Sequence, residues 1–151
     1  ERIFGGSGGA GLGYGPGGAL GVTLAFRDSA KVCIDLQGDG DFLMVPSALY
    51  TAAHHRLPLL IVMCNNRSYY NDEEHQERVA LMRGRPVENK GIGIRIDDPA
   101  PDFATIARGF GVYAEGPIED PALLRPALAR ALAVVKEKRL PALVDVVTQP
   151  R

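Results

Sequence analysis

GDGDFLMVPSALYTAAHHRLPLLIVMCNN, residues 38–66, is the stretch whose reading decides the fold. It closes on a continuous apolar run, Leu57 to Cys64 (LPLLIVMC). That run is too short for a core helix, and its lack of alternation predicts a strand covered on both faces. Just upstream, Lys31 to Leu36 (KVCIDL) predicts a first strand, running into Gln37-Gly38-Asp39-Gly40-Asp41. Between the two, Pro46 to Arg56 predicts a helix with Leu49, Ala52 and Ala53 on its apolar side. Asp and Gly at a strand's carboxyl end stand where open α/β sheets bind their ligands.

If the two strands are sheet neighbours, Asp39 and Asn66 lie side by side at their carboxyl ends. A carboxylate and an amide oxygen then converge on one point, and a backbone carbonyl from the following turn, most simply that of Ser68, joins them. Such hard oxygen donors, with room left for phosphate and water, suit Mg²⁺. Gly38 and Gly40 let backbone N–H groups face the anion.

The rest of the chain extends the same alternation. Residues 1–18 are a glycine-rich entry, a composition that serves where backbone approaches a ligand or takes positive φ. Pro16 is expected to open a helix that continues through Ala19–Phe26. Asn71 with Glu74 reads as a capping box for a helix over about Asp72–Met82. A long loop to Asp98 follows, of the kind that serves as a lid, a binding segment or a partner contact. Pro101–Phe110 predicts a helix and Gly111–Ala114 a short strand. Asp120–Lys138 predicts a long helix with Leu123, Leu124, Leu128 and Leu132 inward, and Pro141–Thr148 the last strand. Helices alternating with strands predict the α/β class, a parallel sheet with helices on both faces.

Composition bounds the function. The 151 residues are 46% hydrophobic and 23% charged, with a formal net charge of -1. No basic excess points to nucleic acid, and no polybasic or span-length apolar segment points to a membrane. The two cysteines, Cys33 and Cys64, fall in predicted strands and read as buried reduced thiols, which favours the cytoplasm. The chain opens at Glu1, without Met, straight into the glycine-rich loop. It is therefore expected to be a segment of a longer polypeptide.

Gly38-Asp39-Gly40, 24 intervening residues, then Asn65-Asn66 resembles the thiamine-diphosphate signature of the acetolactate-synthase and pyruvate-decarboxylase superfamily. Residues 10–21 resemble that family's glycine-rich loop, and Asp102-Phe103 through Gly111 with PALVDVVT resembles its C-terminal portion. The resemblance spans essentially the whole chain, as the C-terminal diphosphate-binding domain. It implies a three-layer fold and carbon–carbon bond cleavage or formation at a 2-oxo acid or related carbonyl, with thiamine diphosphate and Mg²⁺ as cofactors. Carried over, Asp39 and Asn66 would be side-chain Mg²⁺ ligands and Ser68 would give its carbonyl. Gly40 and Asp41 would offer backbone N–H groups to the diphosphate. Leu12 would support the cofactor's two rings from below, beside Gly11. The Ala10 carbonyl would receive the pyrimidine amino group. Tyr69 and Tyr70 would lie against the diphosphate or over the reacting carbon. Asp41 departs from the uncharged residue common in the family, and its side chain is expected to turn outward, since a second carboxylate repels a diphosphate. The resemblance also implies that the activating glutamate, which this chain lacks, comes from an N-terminal pyrimidine-binding domain in the same polypeptide or another subunit of a homo-oligomer.

Competing readings stand beside this one. Gly13-x-Gly15-x-x-Gly18 matches a dinucleotide fingerprint but lacks the strand that should precede it. Asp39, with Asp97 and Asp98 as later metal carboxylates, could serve a Mg²⁺-dependent phosphotransfer domain. A non-catalytic fragment that holds cofactor without turnover is the third. His54 and His55 read as solvent-facing. His75 and Gln76 read as surface residues or as a wall of the substrate pocket. Arg78, Arg83, Arg85, Lys90 and Arg95 read as a solvated face, a subunit contact or a clamp for an acidic group.

Overall fold

The computed structural model of the protein describes Ile3, Gly5 and residues 11–148. Six α-helices and four strands follow one another along them: α1 (Tyr14–Phe26), β1 (Cys33–Gly38), α2 (Asp39–Met44), α3 (Ala48–His54), β2 (Leu59–Asn65), α4 (Tyr70–Met82), α5 (Phe103–Gly109), β3 (Tyr113–Ile118), α6 (Pro121–Ala133) and β4 (Ala142–Val147). All strand pairings are parallel, in the order β1-β2-β4-β3. The continuous apolar run is β2, paired on both edges and packed into the cores on both faces of the sheet, which is why it needs no polar face.

Helices cover both faces, as the α/β reading requires. On one face Leu59, Ile61, Met63 and Leu143 pack against Phe42, Leu49, Phe103 and Ala107 from α2, α3 and α5, with Ala19 and Leu20 of α1 alongside. On the other, Ala127 and Ala131 of α6 and Val134 and Val135 of the π-helical turn after it meet Leu60, Ala142 and Val144. The chain steps from β1 to β2 and then past β4's place to β3. It returns to β4 through α6, and a return step of this kind places its helix on the opposite face. Asp102 caps α5 by accepting from the Thr105 N–H at 2.7 Å, and Asp120 caps α6 by accepting from the Ala122 N–H at 2.9 Å.

Several expectations are corrected. Asp39-Gly40-Asp41 is the first turn of a helix, α2, where a loop turn was expected; β1 extends through Gly38. α1 starts at Tyr14, so Pro16 falls inside its first turn, where a missing N–H costs nothing. The Asn71–Glu74 capping box does not form: α4 begins at Tyr70 without a side-chain cap, and Glu74 accepts from the Tyr70 hydroxyl. In α6 Ala127 and Ala131 are the residues fully buried against the sheet; Leu128 and Leu132 pack partly buried beside them as expected, while Leu123 is 58% exposed. Cys33 is half-buried and Cys64 exposed, so the expected buried pair of thiols is not found. Cys64 lies on the α6 side of β2. There Ile34 and Leu36, paired with Leu60 and Val62, are 58% and 75% exposed because α6 sits over β3 and β4. Among the described residues no helix is long and apolar enough to cross a membrane.

Candidate functional site

β1 and β2 are direct neighbours, with Gly38 opposite Cys64. The turn after β1 and the turn after β2 therefore emerge together, which is the geometry that brings Asp39 to Asn66. Asp39 is 3% exposed and opens α2. Its Oδ1 accepts from the Gly40 N–H at 2.9 Å, while Oδ2 is buried with no hydrogen-bond partner. Burial pushes the Asp39 carboxyl up, opposed by backbone hydrogen bonding from Gly40 and, across the gap, from Arg67 and Ser68. The backbone of the turn after β2 thus lies close enough to Asp39 to act on its charge.

The Asn66–Ser68 turn is held by its own devices. Asn66 Oδ1 accepts from the Ser68 N–H at 3.1 Å, an Asx-type turn that leaves the amide oxygen a second lone pair. Arg67 sits at φ 58°, a left-handed conformation costing roughly 1–2 kcal/mol for a residue with a Cβ. The strain is offset from outside. Arg67 O accepts from the Ile96 N–H at 2.8 Å, and the Tyr69 N–H donates to Ile94 O at 3.0 Å. Ser68 forms an antiparallel bridge to Arg95. The long segment after β2 therefore closes its neck on this turn. The buried Glu73 accepts from Ser68 Oγ at 3.3 Å, and Lys90 reaches Glu77 at 2.5 Å and Glu73 at 3.7 Å. Lys90 thus belongs to this closure, while His75, Gln76, Arg78, Arg83, Arg85 and Arg95 are exposed.

Tyr69 covers Gly40. A Cβ built on Gly40 would come within 2.4 Å of the Tyr69 ring, so only glycine admits this contact. Tyr70 lies at the start of α4 and its hydroxyl donates to Glu74 at 3.0 Å. Leu12, just before α1, is 52% exposed. Ala10 lies outside the described residues. Asp41 does the opposite of what was expected: its carboxylate turns inward, accepting from the backbone N–H groups of Gly13 at 2.6 Å and Gly15 at 3.1 Å and from Gln37 Nε2 at 2.6 Å.

A carboxylate with a buried, unpartnered oxygen at one strand end, and an amide oxygen and a turn carbonyl at the end of the neighbouring strand, are donors of the kind that suits Mg²⁺, which takes few protein ligands and fills the rest from phosphate and water. The phosphotransfer reading needs a carboxylate cluster. No group of three or more His, Cys, Asp or Glu able to hold a metal occurs among the described residues.

Sequence reasoning missed three members of the surroundings. Asn65 does not reach the metal set: its Nδ2 donates to Asp145 Oδ1 at 3.1 Å, tying β2 to β4 beneath the site. Asp145 is fully buried, and burial pushes its carboxyl up. The signal was present as a lone acid in the apolar run PALVDVVT. Gln37, 2% exposed, and Glu73 carried no such signal. Below them Asp35 has a buried, unpartnered oxygen, and burial, then the Asp41 charge, push its carboxyl up to about 6.

The folded state therefore binds Asp35's proton more tightly than the unfolded chain does. That stabilisation is complete below pH 4 and is lost as pH rises through about 6. Asp35→Asn is expected to match the parent near pH 4 and to exceed it by about 1–2 kcal/mol at pH 7.5, from a shift worth ~1.4 kcal/mol per unit less solvent screening. Urea titrations at the two pH values check this; equal stability at pH 7.5 refutes it.

The family model described as "Thiamine pyrophosphate enzyme, C-terminal TPP binding domain" matches residues 2–146. The chain is 33% identical over 135 residues to the acetolactate synthase isozyme 3 large subunit of Escherichia coli K12, covering 89% of this chain and 22% of that protein. It is 32% identical over 139 residues to the benzoylformate decarboxylase of Pseudomonas aeruginosa, covering 92% and 23%. Among solved structures it is similar to the Rhodococcus jostii RHA1 thiamine diphosphate-dependent 4-hydroxybenzoylformate decarboxylase, with a TM-score of 0.70 and 27% identity over 91% of this chain and 23% of that one. The chain thus spans under a quarter of the length of these relatives.

Proposed function

The chain belongs to the family of C-terminal TPP-binding domains of thiamine pyrophosphate enzymes, and on that premise we propose that it holds the diphosphate and Mg²⁺ of thiamine diphosphate for chemistry at a 2-oxo acid or related carbonyl. The observation that carries the reading is the buried, unpartnered Oδ2 of Asp39 beside the Asn66–Ser68 turn. Asp39 supplies the charge, and Asn66 and the Ser68 carbonyl supply neutral oxygens. Gly38, Gly40 and Asp41 bring backbone close to the diphosphate, with Tyr69 closing over Gly40. Gly11 and Leu12 would serve the ring end, as would the Ala10 carbonyl, which falls outside the described residues, and Tyr70 is the residue that would have to turn to reach it.

When bound, thiamine diphosphate supplies the carbanion that adds to the carbonyl and then accepts the electrons of the broken carbon–carbon bond. The residues here hold and orient the diphosphate end. The glutamate that activates the pyrimidine end comes, in this proposal, from an N-terminal domain in the same polypeptide or another subunit. The exposed Ile34 and Leu36 support a larger assembly, since a sheet face this apolar is stable in water when something covers it.

The test is calorimetric. Thiamine diphosphate is expected to bind in the presence of Mg²⁺ and to be lost on chelation with EDTA; binding that is indifferent to Mg²⁺ refutes the metal assignment. Turnover of any 2-oxo acid is expected only when the N-terminal domain is present.

A further inference from the structure

The inward turn of Asp41 has no counterpart in the ligand set, and its surroundings are built around it. Both carboxylate oxygens are used: Oδ1 by the Gly13 N–H, and Oδ2 by the Gly15 N–H and the buried Gln37 amide. Gly13 is at φ 89°, a left-handed conformation that favours glycine. A Cβ on Gly15 would fall 2.3 Å from Asp41 Oδ2 and 2.5 Å from Gln37 Oε1, so a side chain there would expel the carboxylate. These two N–H groups lie at the start of α1, among the donors that a helix leaves unsatisfied. A carboxylate here is favoured by the helix dipole.

We infer that Asp41 is a positioning residue, an internal anion that locks the glycine-rich loop onto α2 and so sets where Gly11 and Leu12 meet the ring end of the cofactor. The inference rests on the reading that this site binds thiamine diphosphate. It also resolves the charge conflict. A free carboxylate beside a diphosphate would repel it, whereas this one is bound by three donors and aimed away. The same contact occupies the α1 terminus, where the dinucleotide reading of Gly13-x-Gly15-x-x-Gly18 would have placed its phosphates.

Charge and anchoring predict opposite signs. If Asp41 were merely a nearby negative charge, removing it would tighten every diphosphate. If it anchors the loop, removing it weakens the ligand that uses the loop and has far less effect on one that does not. The experiment compares thiamine diphosphate with inorganic pyrophosphate, both with saturating Mg²⁺, on the native polypeptide that carries this chain and on its Asp41→Ala and Asp41→Asn variants. Loss of two hydrogen bonds to a charged group predicts that Asp41→Ala weakens thiamine diphosphate by about 10–100-fold more than pyrophosphate. Asp41→Asn, which keeps an acceptor oxygen, is expected to lie between and serves if the alanine variant does not fold. Amide exchange at Gly13 and Gly15 is expected to speed up in both variants. Tighter binding of both ligands, or equal weakening of both, overturns the inference. If the parent binds neither ligand, the cofactor reading fails on its own account. The anchor is then decided by exchange, and unchanged rates at Gly13 and Gly15 refute it.

Discussion

Asp39→Ala is expected to abolish Mg²⁺-dependent binding of thiamine diphosphate while leaving the fold intact. Asp39 is the one charged member of the proposed ligand set. Its loss should weaken binding by more than the 10–100-fold that removal of a mere supporting group costs a metal site, that is by more than about 100-fold. The fold should tolerate the change because Asp39 is an electrostatic burden without its metal: burial disfavours its charge, and one oxygen has no partner. The well-formed hydrogen bond that its removal costs is the short-range one from the Gly40 N–H. Calorimetric titration with and without EDTA, together with a thermal melt, separates the two effects. Affinity unchanged in Asp39→Ala overturns the site; binding and melting temperature falling together reduce Asp39 to a structural role. Asp39→Asn, keeping an oxygen but losing the charge, is expected to retain weak binding that excess Mg²⁺ partly restores.

The features that were legible in the sequence are those set by one residue's immediate neighbours along the chain. LPLLIVMC could only be a doubly covered strand, and the spacing of Gly38-Asp39-Gly40 to Asn65-Asn66 follows from one helical crossover between adjacent parallel strands. What was not legible depends on partners remote in sequence. Asp41 was expected to face solvent because a carboxylate beside a diphosphate is unfavourable. Its actual partners, Gly13 and Gly15, lie 28 and 26 residues away and donate through backbone, which leaves no trace in side-chain identity. The Asn71–Glu74 pair is a sound local cap, but α4 is started two residues too early for it by the pairing of Tyr69 with Ile94, a contact across the excursion after β2. In α6 leucines outscore alanines as core residues on any hydrophobicity scale. Which α6 positions face the sheet is settled in the packed state: Ala127 and Ala131 are buried, Leu128 and Leu132 pack at their margin, and Leu123 is exposed. Cys64 looked buried because its strand is apolar, and it is exposed because cover on the α6 face, complete at Leu60, gives out toward the carboxyl end of β2.

The second large effect is on stability and reaches the site through α2. Phe42 is fully buried, packed edge-on against Phe103 at 5.6 Å and 85°. It lies three residues after Asp39 on the same short helix, so the two occupy neighbouring positions along one side of it. A six-residue helix has little intrinsic stability, and its orientation depends on what it buries. Phe42→Ala is expected to cost about 3–5 kcal/mol, a large part of a typical domain's roughly 5–15 kcal/mol. Phe42→Leu, which refills most of the volume, should cost under about 1.5 kcal/mol. The urea midpoint should fall with little change in slope, since the surface exposed on unfolding is nearly the same. Because ligand binds only the folded state, thiamine diphosphate with Mg²⁺ at 100 times its Kd should return about 2.7 kcal/mol to the alanine variant. A loss below about 1 kcal/mol would mean that α2 is held by its glycine-loop contacts through Asp41 rather than by the Phe42–Phe103 pair. In that case the site's position would be set from above the sheet and not from its core.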